Sequence, residues 1–134
     1  MPPAVYPLLA GGVVLCIDYN HDVLECERAF LEAFGYTVLT APSGSKGLEL
    51  ASIFSVDVVI LDDFMPTMNG QAVARELRRL RPKAPIILVT EAADIPEPTL
   101  NLVDALIAKD RLASQLLPTV ACLLGSGTSS VACL

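Results

Sequence analysis

Three stretches constrain the fold more than anything else in the chain: "GVVLCID" (12–18), "VDVVILD" (56–62) and "APIILVT" (84–90). Each is apolar, rich in β-branched residues and closed by a polar side chain, without the alternation of a half-exposed strand. Such runs read as strands covered on both faces, the condition of a parallel sheet between helical layers. "YTVLT" (36–40) and the weaker "ALIAKD" (105–110) complete a set of five.

Helical spacing fills the gaps. Asn20 or Asp22 can cap a first helix, in which Val23, Cys26, Phe30 and Ala33 make an apolar stripe that Gly35 terminates. Ser43 or Ser45 opens a second carrying Leu48, Leu50, Ala51 and Phe54; Asn69 caps a third with Val73, Leu77 and Leu80 inward and the arginines of "RELRRLRPK" outward. "EAADIPEPTLNLVD" holds two prolines, so the fourth helix is short. "SQLLPTVACLL" reads as the last helix, with Ser114 as cap and Pro118 near its first turn. Strand and helix alternating over short connections give a doubly wound α/β fold: a five-stranded parallel sheet with helices on both faces.

At 134 residues the chain suffices for one domain, expected over 1–125, with 126–134 a flexible tail. Its 53% hydrophobic and 18% charged residues are far from a disordered composition. A net charge of -6 opposes direct binding to nucleic acid or to anionic membrane surfaces. The N-terminal apolar stretch lacks basic residues and is broken by prolines, so it reads as neither signal peptide nor membrane span. The four cysteines form no C-x-x-C pair, which implies reduced thiols and a cytoplasmic protein.

In such a sheet ligands bind beyond the carboxyl ends of the strands. Those ends carry Asp18, Tyr19, Asp62, Asp63, Thr90, Glu91, Lys109 and Asp110. Carboxylates gathered at a sheet edge repel one another unless a cation sits among them, and Mg2+ takes one or two carboxylates while keeping several waters. A carboxylate beside such an ion can attack phosphorus, with lysine and hydroxyl neighbours stabilising the phosphoryl oxygens.

From about Val13 to about Leu124 the chain resembles the receiver domains of bacterial two-component response regulators, including the single-domain chemotaxis type, and "DVVILDDFMPTMNG" is the most specific match. The resemblance implies a flavodoxin-like (βα)5 fold and a non-enzymatic phosphorelay role. A sensor histidine kinase would phosphorylate Asp62, and output would pass through a downstream protein partner or a homodimer. In the same register Asp18, Asp62 and the backbone carbonyl of Phe64 hold Mg2+, while Thr90 and Lys109 contact the phosphoryl group. Asp63 is then only a neighbour, turned to solvent or the rim.

Four positions depart from the family pattern. Tyr19 replaces a second acid, which weakens Mg2+ binding. Asp110 stands where a cis proline usually follows the lysine, and a cis bond there would cost about 2.5 to 4 kcal/mol, so a trans peptide is expected. Leu106 replaces the aromatic residue that rotates on activation, and Glu91 replaces a small residue and crowds an incoming donor. These departures motivate an alternative: a degenerate receiver that docks or dimerises without phosphorylation. An electron carrier or phosphohydrolase on a similar sheet is disfavoured, because "DYNHD" lacks the hydroxyl- and glycine-rich character of a phosphate cradle and "LDDFMP" lacks the spaced aspartates of haloacid-type phosphatases.

Overall fold

The computed structural model describes residues 11–125. Five strands, β1 (Val13–Ile17), β2 (Thr37–Ala41), β3 (Val58–Asp62), β4 (Ile86–Thr90) and β5 (Ala105–Ala108), form one sheet in the order β2-β1-β3-β4-β5. Every neighbouring pair is parallel. Between them run α1 (His21–Ala33), α2 (Gly44–Ile53), α3 (Gly70–Leu80), α4 (Glu97–Leu100) and α5 (Leu112–Leu123), the last entered through a 3-10 turn, Lys109–Arg111. The expected doubly wound architecture is therefore present, and the fourth helix has the expected short length of four residues.

Side chains alternate across each strand, and the sheet separates two cores. Leu15, Ile17, Val59, Leu61, Ile86 and Leu88 pack with Ala51 of α2 and Val73, Ala74 and Leu77 of α3. On the other face Val14, Cys16, Val58, Ile60, Ile87, Val89 and Ile107 meet Leu24 and Leu31 of α1 and Leu116 and Val120 of α5. Asn20, Ser43 and Asn69 cap their helices as their sequence positions imply, each side-chain oxygen accepting backbone N–H groups of the first turn. Gly35, at φ 92°, provides the left-handed residue that ends α1.

Several expectations are corrected. The buried stripe of α1 is Leu24, Glu27 and Leu31; Cys26, Phe30 and Ala33 are exposed, so the helix is rotated from the apolar reading and turns a glutamate inward. Phe54 is exposed beyond the end of α2. Arg78 does not point freely outward: its guanidinium donates to the carbonyls of Leu102 (2.9 Å) and Ala84 (3.3 Å) and pairs with Asp104. Ser114 lies inside α5, donating to the carbonyl of Arg111 at 3.2 Å, and Pro118 sits beyond the first turn. Cys16, buried, and Cys26, exposed, are free thiols. The expected tail, 126–134, lies outside the described residues. Among the described residues no helix is long and apolar enough to cross a membrane.

Candidate functional site

The strand order reverses at β1, whose chain continues to β2 on one side and whose other neighbour is β3. This is the switch point at which a parallel sheet opens a crevice at its carboxyl edge. Ile17 is in register with Leu61, so the residues that follow, Asp18 just past β1 and Asp62 at the end of β3, stand side by side. They continue the face of Cys16 and Ile60, the face covered by α1 and α5. Both carboxylates are buried, at 1% and 3% exposure.

Partners hold each of them. The backbone N–H of Asn20 donates to Asp18 Oδ1 at 2.8 Å, and that of Phe64 to Asp62 Oδ1 at 3.4 Å. Lys109, in the turn after β5, places Nζ 3.3 Å from both oxygens of Asp62. No peptide bond among the described residues is cis, so Lys109 reaches Asp62 through a trans bond to Asp110. Burial, followed by repulsion from Asp62, raises the Asp18 pKa to about 6 despite the Asn20 N–H and the Lys109 charge. Partial burial acts to lower the Lys109 pKa, but Asp62 and Asp18 more than offset it and the net direction is upward.

The remaining strand-end residues divide. Thr90 closes β4 and is buried, yet its hydroxyl donates to Asp63 Oδ2 at 3.1 Å while accepting the N–H of Ala92 at 2.9 Å. Asp63 is thus half-buried and engaged with Thr90, and it lies on the rim of the cleft beside Asp62, the second of the two places expected for it. Glu91 is exposed and, with Asp62, Asp63, Phe64, Ala92 and Lys109, lines a cleft of about 280 Å³. Tyr19 and Phe64 are exposed at 61% and 67%. Leu106 is exposed at 44% and, with Ile95, Thr90 and Lys109, borders a neighbouring cavity of about 700 Å³; Asp110 lies at its edge. His21 is exposed and stands clear of both clefts.

Glu27 went unnoticed in the sequence. It projects from α1 at 2% exposure with Oε1 unpartnered, and burial, with repulsion from Asp18 next, raises its pKa to about 8. Its position three residues after Leu24 and four before Leu31 was the available signal.

The acidic pair itself offers carboxylate oxygens, which suit a hard cation. Among the described residues no three His, Cys, Asp or Glu side chains gather closely enough to enclose a metal. Two buried carboxylates side by side fit an ion that takes one or two carboxylates and completes its shell with water.

The model of the response regulator receiver domain matches residues 14–110. Transcriptional regulatory protein GlrR of Escherichia coli is 33% identical over 84 residues, 63% of this chain and 19% of GlrR. The chain spans about a fifth to a third of the length of the curated relatives it matches. Among solved structures, response regulator TrrA of Thermotoga maritima, in complex with Mg2+-BeF, superposes with a TM-score of 0.78 at 29% identity, covering 84% of this chain and 99% of TrrA. Chemotaxis protein CheY4 of Vibrio cholerae gives 0.78 at 26% identity, covering 86% and 100%.

Proposed function

The chain belongs to the response regulator receiver domain family, whose members serve phosphorylation-based two-component signalling, and from that premise we propose that Asp62 is its phosphoacceptor. The observation that carries this reading is the buried Asp62 carboxylate at the switch point, with Lys109 Nζ on both its oxygens and Asp18 beside it. A carboxylate oxygen of Asp62 forms the new bond to phosphorus as the bond from phosphorus to the donor histidine nitrogen breaks. The nitrogen keeps the bonding electrons and takes a proton, and a phosphoaspartate remains. Lys109 neutralises charge on the transferred group, a role its fixed position at the carboxylate suits.

Asp18, Asp62 and the Phe64 carbonyl would hold Mg2+, which supplies charge neutralisation at the phosphoryl oxygens. TrrA, a structural relative, was crystallised with Mg2+-BeF, which supports the same ion here. Tyr19 leaves the set one acid short, so the affinity is weak. The donor is a sensor histidine kinase, and the phosphorylated domain signals from residues 1–125 by contact with another protein or a second copy of itself.

Intact mass after incubation with acetyl phosphate and Mg2+ tests the assignment. The expected result is one added phosphoryl group in the native protein and none in Asp62→Asn. A folded native protein that gains nothing from acetyl phosphate or from a kinase would overturn it. The exposed Tyr19 and the engaged Thr90 favour a second reading, a docking module indifferent to phosphate. In that case partner binding is unchanged by Asp62→Asn.

A further inference from the structure

In the register of β3 with β4, Asp62 stands opposite Val89, and the N–H of Asp63 donates to the Val89 carbonyl at 2.8 Å. The ladder thus continues past the end of β3 and sets Asp63 opposite Thr90. Alternation puts both on the face of Leu61 and Leu88, away from the face that Asp62 and Asp18 continue.

A threonine hydroxyl carries one proton and two lone pairs. Thr90 gives that proton to Asp63 Oδ2 at 3.1 Å and spends a lone pair on the N–H of Ala92 at 2.9 Å. It has no second proton for an oxygen bound at Asp62. We propose that Asp63 is a positioning residue that holds the Thr90 hydroxyl away from Asp62, so that the site takes a phosphoryl group at full affinity only when Thr90 exchanges Asp63 for the new oxygen. The exchange reaches the loop as well, because Thr90 anchors Ala92, and Ala92 and Glu91 line the cleft over Asp62. Asp63 thereby sets how readily the resting domain enters its phosphorylated state.

The inference rests on the phosphoacceptor reading of Asp62, and its test uses beryllofluoride with Mg2+, a non-covalent stand-in for the phosphoryl group, titrated by amide NMR. Asp63→Ala should bind it about three- to tenfold more tightly than the native chain, the worth of one hydrogen bond. Asp63→Asn keeps an acceptor oxygen without the charge and should bind like the native chain. The gain from Asp63→Ala should vanish when Thr90→Ala is also present. Equal affinity of Asp63→Ala and native protein, equal gains in Asp63→Ala and Asp63→Asn, or a gain that survives without Thr90 would each overturn the role given to Asp63 while leaving Asp62 as acceptor. Absence of binding in every variant, all folded by circular dichroism, would overturn the phosphoacceptor reading itself and the role of Asp63 with it.

Discussion

Glu27 is the residue whose chemistry departs furthest from its surroundings. Burial first, then repulsion from Asp18, raises its pKa to about 8 from an ordinary 4.5, so it is protonated at neutral pH in the folded chain and ionised in the unfolded one. The unfolded state binds fewer protons through that window, and stability falls as pH rises from about 4.5 to about 8. For one proton the slope is about 1.4 kcal/mol per pH unit at its steepest. Urea midpoints between pH 5 and pH 9 should fall with pH in the native protein, and Glu27→Gln should flatten that part of the curve. A native curve already flat there would mean that water reaches the carboxyl. The sequence concealed this group because Val23, Cys26 and Phe30 offered an apolar stripe, whereas packing chose the face of Leu24 and Leu31. Asp62 and Lys109 were legible for the opposite reason: each closes or follows a strand, and strand ends converge wherever the sheet is parallel.

At the scale of elements, α3 shows how far charge patterning can be read. A row of arginines on a helix is ordinarily a solvated face. Arg79 conforms, its partner among the described residues being Glu76 on the same helix at 2.8 Å. Arg78 instead ties α3 to the chain around β4 and β5 through Leu102, Ala84 and Asp104, and Asp104 also accepts the N–H of Ile86 at 2.8 Å. Only the return of β5 beside β4 brings these acceptors to the arginine, a non-local fact that a helical pattern does not contain. Arg78→Ala should lower the free energy of unfolding by about 2 kcal/mol, since it leaves partly buried carbonyls without a donor. Arg79→Ala should leave it nearly unchanged, and chemical denaturation of the two variants side by side distinguishes a tertiary clamp from a surface pair. α5 also needed the tertiary context: the 3-10 turn at Lys109–Arg111 starts the helix at Leu112, ahead of the serine that sequence marks as a cap.

For the whole molecule, the acidic edge connects ion binding to stability. Asp18 and Asp62 are buried and repel each other, with Lys109 paired to Asp62, so the folded chain carries a repulsion that the unfolded chain lacks. An ion that binds only the folded state stabilises it by mass action, by about 1.4 kcal/mol at a concentration ten times its Kd. For a domain of this size that is a rise in Tm of several degrees. Calorimetry across a Mg2+ series should therefore show Tm climbing with the logarithm of concentration in the native chain and staying level in Asp18→Asn. Tyr19→Asp restores an acid beside Asp18 and should move the onset of the rise to lower Mg2+, because a third carboxylate adds a ligand for a cation that keeps waters in place of missing protein oxygens. Equal responses in the native chain and Asp18→Asn would place the ion elsewhere on this acidic protein and leave the sheet edge to Lys109 alone. A rise confined to the native chain and Tyr19→Asp ties the ion to the switch point between β1 and β3, where the order of the strands already brings the two carboxylates together.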